Sequence, residues 1–273
     1  MCRLMNRLWR LLATAFSFGL FGVGALLLTL AWFPWLRLAC RSQARRRELA
    51  QGTIRHSFRF FLGVLSGLGV MSYKIEGAER LALDGGCLLV ANHPSLIDYV
   101  LLASVAPRCD CIVKQALWQH PCFGGVIRAA GYLPNGEGEQ LLAACRQRLA
   151  AGGLLLIFPE GTRTTPGQPL RLQRGAANIA VRCGADLRLA HILCQPSTLT
   201  KQESWYHIPT RKPHFHVMIG DKVAVAPFLR VAPSVAARQL TEFLTQALLP
   251  ASGVLHGKPD EHTTTRDQTT DYR

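Results

Sequence analysis

The sequence contains few acidic residues and lacks the short motifs of several common protein classes. Only 17 of its 273 residues are Asp or Glu, against 31 Lys and Arg, so the chain carries a net charge of +14 and anionic partners are expected. It has no helix-turn-helix, zinc-finger or basic-aromatic pattern, which argues against nucleic acid as that partner. The G-x-S-x-G elbow of serine hydrolases is also absent. A membrane surface is the anionic partner that remains.

Nine cysteines are present, but their spacing does not indicate a metal site. Cys109, Cys111, His120 and Cys122 give the pattern C-x-C-x8-H-x-C, which is not a familiar zinc pattern. Most of the other cysteines lie scattered among apolar residues, as small buried hydrophobic side chains do. We therefore expect no bound metal, and no structural disulfide if the domain is cytoplasmic.

An uncharged run at residues 11–36 predicts a membrane anchor. The run lies between Arg10 and Arg37, is rich in Leu, Phe, Ala and Gly, and is long enough to cross a bilayer. Tryptophans stand near both of its ends, as interfacial aromatic residues do: Trp9, Trp32 and Trp35. A cleaved signal peptide is the alternative, but the run is long for one and lacks a good small-residue cleavage site. We predict that residues 1–40 form an anchor, either a single span or a re-entrant element broken at Pro34.

Positive charge is concentrated after this run. Arg37, Arg41 and three consecutive arginines at residues 45–47 follow it, against three arginines before it. By the positive-inside rule, the main part of the chain lies on the cytoplasmic side. Residues 41–72 are interpreted as a basic linker and an interfacial helix, because the apolar stretch at 58–71 is too short to span a bilayer and has basic flanks. The alternative is a helix buried in the globular domain.

From Tyr73 to residue 250, short apolar runs alternate with helical patterns. The strand-like runs are residues 87–90, 111–113, 154–158, 189–193 and 214–219, and the helical patterns are 99–105, 139–151, 175–183 and 233–249. This alternation predicts an α/β domain at residues 73–250, with a mixed sheet flanked by helices, preceded by the membrane helix and the interfacial helix. Residues 251–273 are polar and are predicted to form a disordered tail.

A strand-to-helix turn carries the first candidate site residues. The run at 87–90 leads into Ala-Asn-His-Pro-Ser-Leu-Ile-Asp-Tyr-Val at residues 91–100, so His93 follows a strand and Asp98 lies one turn into a helix. A histidine just before a helix can fold back onto a carboxylate at this spacing. The carboxylate would fix the imidazole tautomer and leave the other nitrogen free as a general base. A helix cap beside a surface Asp is the alternative interpretation.

A second polar segment follows another predicted strand. Residues 154–158 run directly into Pro159-Glu160-Gly161-Thr162-Arg163, at the end of a strand, where open α/β sheets bind their ligands. Gly161 allows a sharp turn, and the planar guanidinium of Arg163 suits a phosphate or a carboxylate. Glu160, Gly161, Thr162 and Arg163 are therefore candidate substrate-binding residues.

Together the two segments resemble signature blocks of the glycerolipid acyltransferases, the family of the 1-acylglycerol-3-phosphate acyltransferases. The blocks are Asn92-His93-Pro94-Ser95-Leu96-Ile97-Asp98 and Phe158-Pro159-Glu160-Gly161-Thr162-Arg163, about 60 residues apart, and the resemblance covers residues 73–225. It implies an enzyme of the bacterial inner membrane, with a cytoplasmic catalytic domain, that moves a fatty acyl group to a hydroxyl of a lysophospholipid. The donor would be a thioester of acyl carrier protein or coenzyme A, and no cofactor beyond this co-substrate is implied.

The resemblance also implies roles for individual residues. His93, oriented by Asp98, would remove the proton of the acceptor hydroxyl, while residues 160–163 would line the acceptor site and Arg163 would contact a phosphate. Lys114 and Arg128 would help to hold the acceptor, with ordinary surface cations as the alternative. Backbone N–H groups at residues 94–96 would stabilise the oxyanion, and a ping-pong route through Ser95 is the less favoured alternative.

The sequence departs from the family at the blocks that concern the acceptor. Many relatives carry Phe-Ile-Asp-Arg after the glycine that matches Gly131, but this chain reads Tyr132-Leu133-Pro134-Asn135, without the arginine. The fourth block appears at residues 189–194 without its usual proline. Two alternatives therefore stay open. One is the same chemistry on a non-standard acceptor, such as a lyso-ornithine-type or polyketide-like lipid, and the other is a lipid-binding protein without activity.

Overall fold

The computed structural model describes residues 2–136, 138–165 and 167–249, so the predicted tail at 251–273 lies outside the described residues. A long helical segment opens the chain and comprises helix α1 (Cys2–Leu27), a π-helical turn (Leu28–Trp32) and helix α2 (Phe33–Ala39). Pro34 lies in the first turn of α2, directly after the π-helical turn, so the helix widens where proline removes an N–H donor. By length and composition this segment could cross a membrane.

Helix α3 (Gln43–Gly67) runs back along α1 and α2, and the three helices form a hairpin. Near one end of the hairpin Trp9 Nε1 donates to Leu68 O (3.0 Å), and nearer the other end Trp32 Nε1 donates to Thr53 Oγ1 (3.1 Å). The buried residues of α3 recur every three or four positions, which gives the helix one apolar face. That face packs on α1 and on the globular domain through Ala50, Ile54, Phe58, Phe61, Leu62 and Leu65.

This hairpin differs from the predicted basic linker and interfacial helix. Residues 43–67 form one helix, because the Arg and Ala residues of the basic half are strong helix formers and continue into the apolar half. The apolar side chains Phe58, Phe61 and Leu65 are covered by protein, as the alternative of a helix buried in the domain requires. Phe60 is the large apolar side chain that α3 turns outward, and it is 64% exposed.

The globular domain is built on one sheet of seven strands. The strands are β1 (Ser72–Glu76), β2 (Leu88–Ala91), β3 (Cys109–Val113), β4 (Leu133–Pro134), β5 (Leu154–Ile157), β6 (Leu187–Gln195) and β7 (His214–Val223). Their order is β1-β7-β6-β2-β5-β3-β4, and all neighbours are parallel except β6 and β7. The prediction of an α/β fold with a mixed sheet is therefore confirmed.

Helices cover both faces of this sheet. They are α4 (Arg80–Leu83), α5 (Asp98–Val105), α6 (Gln115–Trp118), α7 (Gly124–Ala130), α8 (Gly138–Ala150), α9 (Gly175–Cys183) and α10 (Pro233–Ala247), with a 3-10 helix at Ala226–Arg230. In β2, Leu89 and Ala91 face the core under α3, α5 and α7, whereas Leu88 and Val90 face the core under α8, α9 and α10. Because both faces are covered, β2 has no polar residue.

The apolar runs in the sequence correspond to β2, β3, β5, β6 and β7, and the helical pattern at 175–183 matches α9 residue for residue. Strands β1 and β4 and helices α4, α6 and α7 were not predicted. The edge strand β1 is half exposed and mixes polar with apolar residues, and β4 contains only two residues, so neither gives an apolar run. These elements therefore depend on tertiary contacts more than on local pattern.

One edge of the sheet collects the segments that carry the candidate site. Strands β2, β3, β5 and β6 are parallel, so their C-terminal ends lie along the same edge. At this edge β2 leads to His93, β5 leads to Glu160, and β6 leads to residues 196–213, which we name the β6–β7 connection. Since β2 lies between β5 and β6, the crevice at its end is where a sheet of this kind binds ligands.

Candidate active site

His93 and Asp98 form a hydrogen-bonded pair at the end of β2. His93 Nδ1 lies 2.9 Å from Asp98 Oδ2, and the same oxygen accepts from Ser95 N (2.6 Å). Asp98 is fully buried as the first residue of α5, whereas the His93 side chain is 18% exposed. Because the carboxylate accepts the proton on Nδ1, Nε2 is left with a lone pair. The pair therefore has the geometry of a general base and its orienting carboxylate.

The environment of Asp98 is unfavourable for a carboxylate. Burial raises the pKa of Asp98 to about 6, although the hydrogen bonds from His93 and Ser95 favour the charged form. The second carboxylate oxygen, Oδ1, is buried and has no hydrogen-bond partner among the described residues. A destabilised carboxylate beside an accessible imidazole is typical of functional sites, because the arrangement stabilises positive charge on the ring.

The second predicted segment holds the first in place. The ring of Phe158 stacks on the imidazole of His93, with 4.1 Å between centroids and 20° between planes. Glu160 Oε1 accepts from His93 N (2.8 Å) and from Thr164 Oγ1 (2.9 Å), and Thr164 N donates to His93 O (2.7 Å). Both backbone polar groups of His93 are thus satisfied by residues 160–164. The structure brings the two predicted segments together.

Glu160 and Gly161 both have structural tasks, of which the sequence indicated only the turn at Gly161. Glu160 is buried, and its Oε1 accepts from the backbone N–H of His93. Its role in lining the acceptor site stays a prediction. Gly161 has φ of +68°, in the left-handed region that favours glycine, which explains the sharp turn predicted there. Thr162 follows in the same turn and is partly exposed.

Arg163 contacts the β6–β7 connection. Its Nη1 donates to Leu199 O (2.8 Å) and to Thr200 O (2.9 Å), so one nitrogen of the guanidinium ties the two segments together. Within the described residues, Nε and Nη2 make no hydrogen bond, and the side chain is partly exposed. These donors remain able to bind an anion, as the prediction of a phosphate contact requires.

The two other predicted cations are less closely linked to the site. Lys114 is exposed and directly follows β3, which places it on the same edge of the sheet as His93. Arg128 lies in α7 and donates from Nη1 to Trp118 O (2.9 Å), a bond that ties α7 to α6. In the part of the chain that the structure describes, no hydrogen bond joins either residue to His93 or Asp98. Their role in acceptor binding stays a prediction.

The prediction of an oxyanion site at residues 94–96 is wrong. Pro94 has no N–H, Ser95 N donates to Asp98, and Leu96 N donates to Leu199 O (3.1 Å), so no donor is free there. The ping-pong alternative through Ser95 is also wrong, because Ser95 is fully buried and its Oγ donates to Thr198 O (2.9 Å). Residues 94–96 instead fasten the turn at residues 92–98, which we name the catalytic turn, to the rest of the fold.

Two site residues were missed by sequence reasoning. The side chain of Asn92 accepts from Ile192 N and donates to Ile192 O, both at 2.8 Å, and so continues the β2–β6 ladder beyond the strand. Thr164 links Glu160 to His93 as described above. Asn92 stands next to His93 in the sequence, so its position was a signal, whereas nothing local indicates that Thr164 faces back toward β2.

The cysteines do not gather into a metal site. Among the described residues there is no group of three or more His, Cys, Asp and Glu side chains that could hold a metal ion. Cys111 is buried in β3, and burial raises the pKa of its thiol to about 12, so it stays protonated.

The raised pKa of Asp98 predicts an unusual stability effect. In the wild type the folded-state pKa of about 6 lies above the 3.8 of a free Asp side chain, so the free energy of unfolding falls as pH rises between these values. Asp98→Asn removes this cost and should stabilise the protein by about 1–3 kcal/mol at about pH 8, with little effect below about pH 4. Urea unfolding across this pH range measures the difference. The exposed Asp221→Asn is the control, and an Asp98→Asn protein that is less stable than wild type at pH 8 would contradict the assignment.

Comparisons with known proteins agree with this geometry. A family model described as Acyltransferase matches residues 72–196. The chain is similar to two proteins named 1-acyl-sn-glycerol-3-phosphate acyltransferase: it is 35% identical to one from Helicobacter pylori over 103 residues, 35% of this chain and 44% of that protein, and 27% identical to one from Pseudomonas aeruginosa over 156 residues, 55% of this chain and 59% of that protein. The chain spans about half the length of these curated relatives.

A solved structure shares the fold. The crystal structure of the 1-acyl-sn-glycerophosphate acyltransferase PlsC from Thermotoga maritima matches 95% of this chain and all of that chain, with a TM-score of 0.68 and 19% identity. The family model spans residues 72–196 and therefore includes both His93 and Arg163. The chain therefore carries an acyltransferase domain at residues 72–196, and this domain is similar to the glycerolipid acyltransferases.

Proposed function

We propose that this protein is a membrane-bound acyltransferase that moves a fatty acyl group from an acyl thioester to a hydroxyl of a lysophospholipid. The observation that carries the proposal is the pairing of His93 Nδ1 with buried Asp98 (2.9 Å), which leaves Nε2 free at an accessible ring. The names of the relatives support 1-acylglycerol-3-phosphate as acceptor. The thioester would be carried by acyl carrier protein or coenzyme A.

In the proposed reaction, the acceptor hydroxyl attacks the thioester carbon while His93 Nε2 takes the hydroxyl proton. The tetrahedral intermediate collapses, the C–S bond breaks, and the imidazolium returns the proton to the departing thiolate. Protons and electrons balance between the two substrates, so the step needs no metal or redox cofactor. Asp98 stabilises the imidazolium that forms on the way. Donors outside residues 94–96 must stabilise the oxyanion, because those N–H groups are already engaged.

The segment that replaces the missing acceptor block keeps a second acceptor class open. Tyr132 is buried and its hydroxyl lies 2.5 Å from that of Tyr99, while Leu133 is buried in β4, so these residues build the core. They offer no cation for a phosphate. This observation favours, as the second candidate, the same chemistry on a non-standard acceptor such as a lyso-ornithine-type or polyketide-like lipid.

The base assignment predicts that His93→Ala lowers turnover by about 10²–10⁴-fold, the range that a general base contributes. Purified protein in detergent is incubated with radiolabelled acyl thioester and a panel of lysolipids, and acyl incorporation is measured. The exposed His56→Ala serves as the control and should keep wild-type turnover. Unchanged turnover in His93→Ala would defeat the proposal, and a wild type inactive on the whole panel would favour a lipid-binding protein.

Arg163 should distinguish acceptor from donor in the same assay. If its Nε and Nη2 bind a phosphate of the acceptor, Arg163→Lys raises the acceptor KM by about tenfold, a loss of about 1.4 kcal/mol, and leaves the donor KM within about twofold. The exposed Arg171→Lys is the matched control in the same segment. Equal increases in both KM values would show that Arg163 acts only by holding the β6–β7 connection.

The N-terminal hairpin supports attachment to one face of the membrane. Its outward face carries exposed apolar side chains along the whole length: Leu4, Leu8, Leu12, Phe16, Val23, Leu27, Leu30 and Trp35. Yet the segment stays in contact with the globular domain, since Arg10 Nη2 donates to Pro209 O (2.8 Å) and Thr29 lies against Gly125. A helix that crossed the bilayer alone would leave the domain at one of these points. The re-entrant alternative is therefore the one we propose, with the catalytic domain on the cytoplasmic side of a bacterial inner membrane.

This geometry is tested by labelling from one side. In a variant without native cysteines, Arg7→Cys and Arg41→Cys place single thiols near the two ends of the apolar segment, at exposed positions. Both should react with a membrane-impermeant maleimide from the cytoplasmic face of sealed vesicles. Labelling of the two thiols from opposite faces would show a single span instead.

A further inference from the structure

The β6–β7 connection is long and irregular, yet its two ends are buried. It contains no helix or strand, and Thr198, Leu199 and Thr200 near its start and Ile208 and Pro213 near its end are buried. Connections of this length without secondary structure are uncommon in compact domains and are usually functional. Neither the proposed acyl transfer nor the family motifs assign it a role.

The first buried end is fastened to the catalytic turn. Ser95 Oγ donates to Thr198 O, and Leu199 O accepts from both Leu96 N and Arg163 Nη1. Leu199 has φ of +54°, a left-handed conformation that a branched side chain rarely adopts, so the surrounding contacts hold it in a strained state. The position of this end and that of the catalytic turn are therefore coupled.

The second buried end is fastened to the apolar N-terminal helix. Arg10 Nη2 donates to Pro209 O (2.8 Å) and Thr210 O (3.0 Å). A small cavity of about 30 Å³ lies between the two ends and is lined by Phe18 of α1, Ile97 of the catalytic turn, and Leu199 and Ile208 of the connection. The connection thus joins the helix proposed to lie in the membrane to the residues that orient His93.

The middle of the connection, residues 201–207, is exposed except for the partly exposed Glu203, and it carries an aromatic pair whose Trp205 also borders the cavity. Trp205 is 47% and Tyr206 is 61% exposed, and their rings meet edge to face with centroids 5.7 Å apart. Basic side chains flank the pair at exposed positions: Lys201, Arg211 and Lys212. Exposed Trp and Tyr with adjacent cations are typical of a surface that sits among anionic headgroups, where the rings meet the acyl boundary and the cations meet phosphate.

The neighbouring part of α1 also favours an anionic membrane as the partner of this surface. Because Arg10 binds Pro209 and Thr210, the first turns of α1 lie beside this connection, and those turns expose Leu4 and Leu8. The aromatic pair and the apolar face of α1 therefore stand at the same end of the molecule. An acidic protein would match the charges, but it would leave the adjoining apolar face of α1 uncovered.

We propose that residues 201–207 form a second membrane-contact surface, seated through Trp205 and Tyr206 in the headgroup region of an anionic bilayer, which fixes the catalytic turn relative to the lipid. The contact itself does not require the proposed acyl transfer, whereas its effect on turnover rests on that function. The consequence is a dependence of turnover on whether the acceptor is presented by a membrane.

The contact is tested without any activity measurement. The full chain is reconstituted into phosphatidylcholine–phosphatidylglycerol vesicles whose lipids carry bromine near the headgroup, and the fluorescence of Trp205 is obtained as the difference between wild type and Trp205→Phe. This difference signal should be quenched at least twofold relative to unbrominated vesicles. An unquenched signal overturns the proposal, as does a signal that changes with acyl carrier protein and not with brominated lipid.

The effect on catalysis is tested by comparing kcat/KM for an acceptor in a membrane with kcat/KM for a water-soluble acceptor. Trp205→Ser combined with Tyr206→Ser should lower kcat/KM at least tenfold for long-chain lysophosphatidate in anionic vesicles, and less than twofold for a short-chain, water-soluble lysophosphatidate. Leu83→Ser, at another exposed apolar residue (86%), should change neither. Equal losses on both acceptors, or no loss on either, overturn the proposed coupling. A wild type inactive on both acceptors refutes the acyl-transfer proposal alone, since the quenching result still decides the contact with lipid.

Discussion

A buried carboxylate with few hydrogen-bond donors is the interaction on which the site depends. Asp98 is fully buried, and among the described residues only His93 Nδ1 and Ser95 N donate to its carboxylate, both at Oδ2. Burying such a group is costly unless it is paired, so the fold gains most when the imidazole carries a positive charge. That charge appears in the transition state of a reaction in which His93 accepts a proton. In the proposed reaction, this positive charge would offset the cost of the buried carboxylate in the transition state and not in the ground state, which is what catalysis requires.

The parallel pairing of β2 and β5 explains why two segments distant in sequence share one histidine. Val90 is opposite Ile157 in this ladder, and His93 and Glu160 each lie three residues further on. Continuing the register beyond the strands places Glu160 beside His93, where its carboxylate accepts the backbone N–H at 2.8 Å. The sheet thus sets the position of the main chain, while Asp98 sets the orientation of the ring. The carboxylates of Asp98 and Glu160 can therefore act on the same histidine although they are far apart in the sequence.

The sequence predicted five of the seven strands and both site segments, because apolar runs and short motifs are local signals. His93 and Asp98 lie five positions apart in the sequence, so local geometry was enough to pair them. Local geometry could not predict two other contacts. Arg163 Nη1 donates to Leu199 O and Thr200 O, and Leu96 N donates to Leu199 O. These contacts involve the β6–β7 connection, which contains no helix or strand, so no repeating apolar pattern in the sequence predicts its path. The misassigned oxyanion donors have the same cause, because a free N–H at a turn looks identical in sequence to an occupied one.

In the N-terminal segment, long-range contacts change the interpretation of the apolar run. Its apolar run alone predicts an anchor separate from the catalytic domain, yet Arg10 is buried and bonded to Asn6, Pro209 and Thr210. An arginine in this position requires acceptors that an isolated helix in lipid would lack, and the domain supplies two of them as backbone carbonyls. Removing the helix from the domain would leave this guanidinium without those partners. The apolar N-terminal segment and the sheet edge that carries His93 are therefore parts of one structural unit.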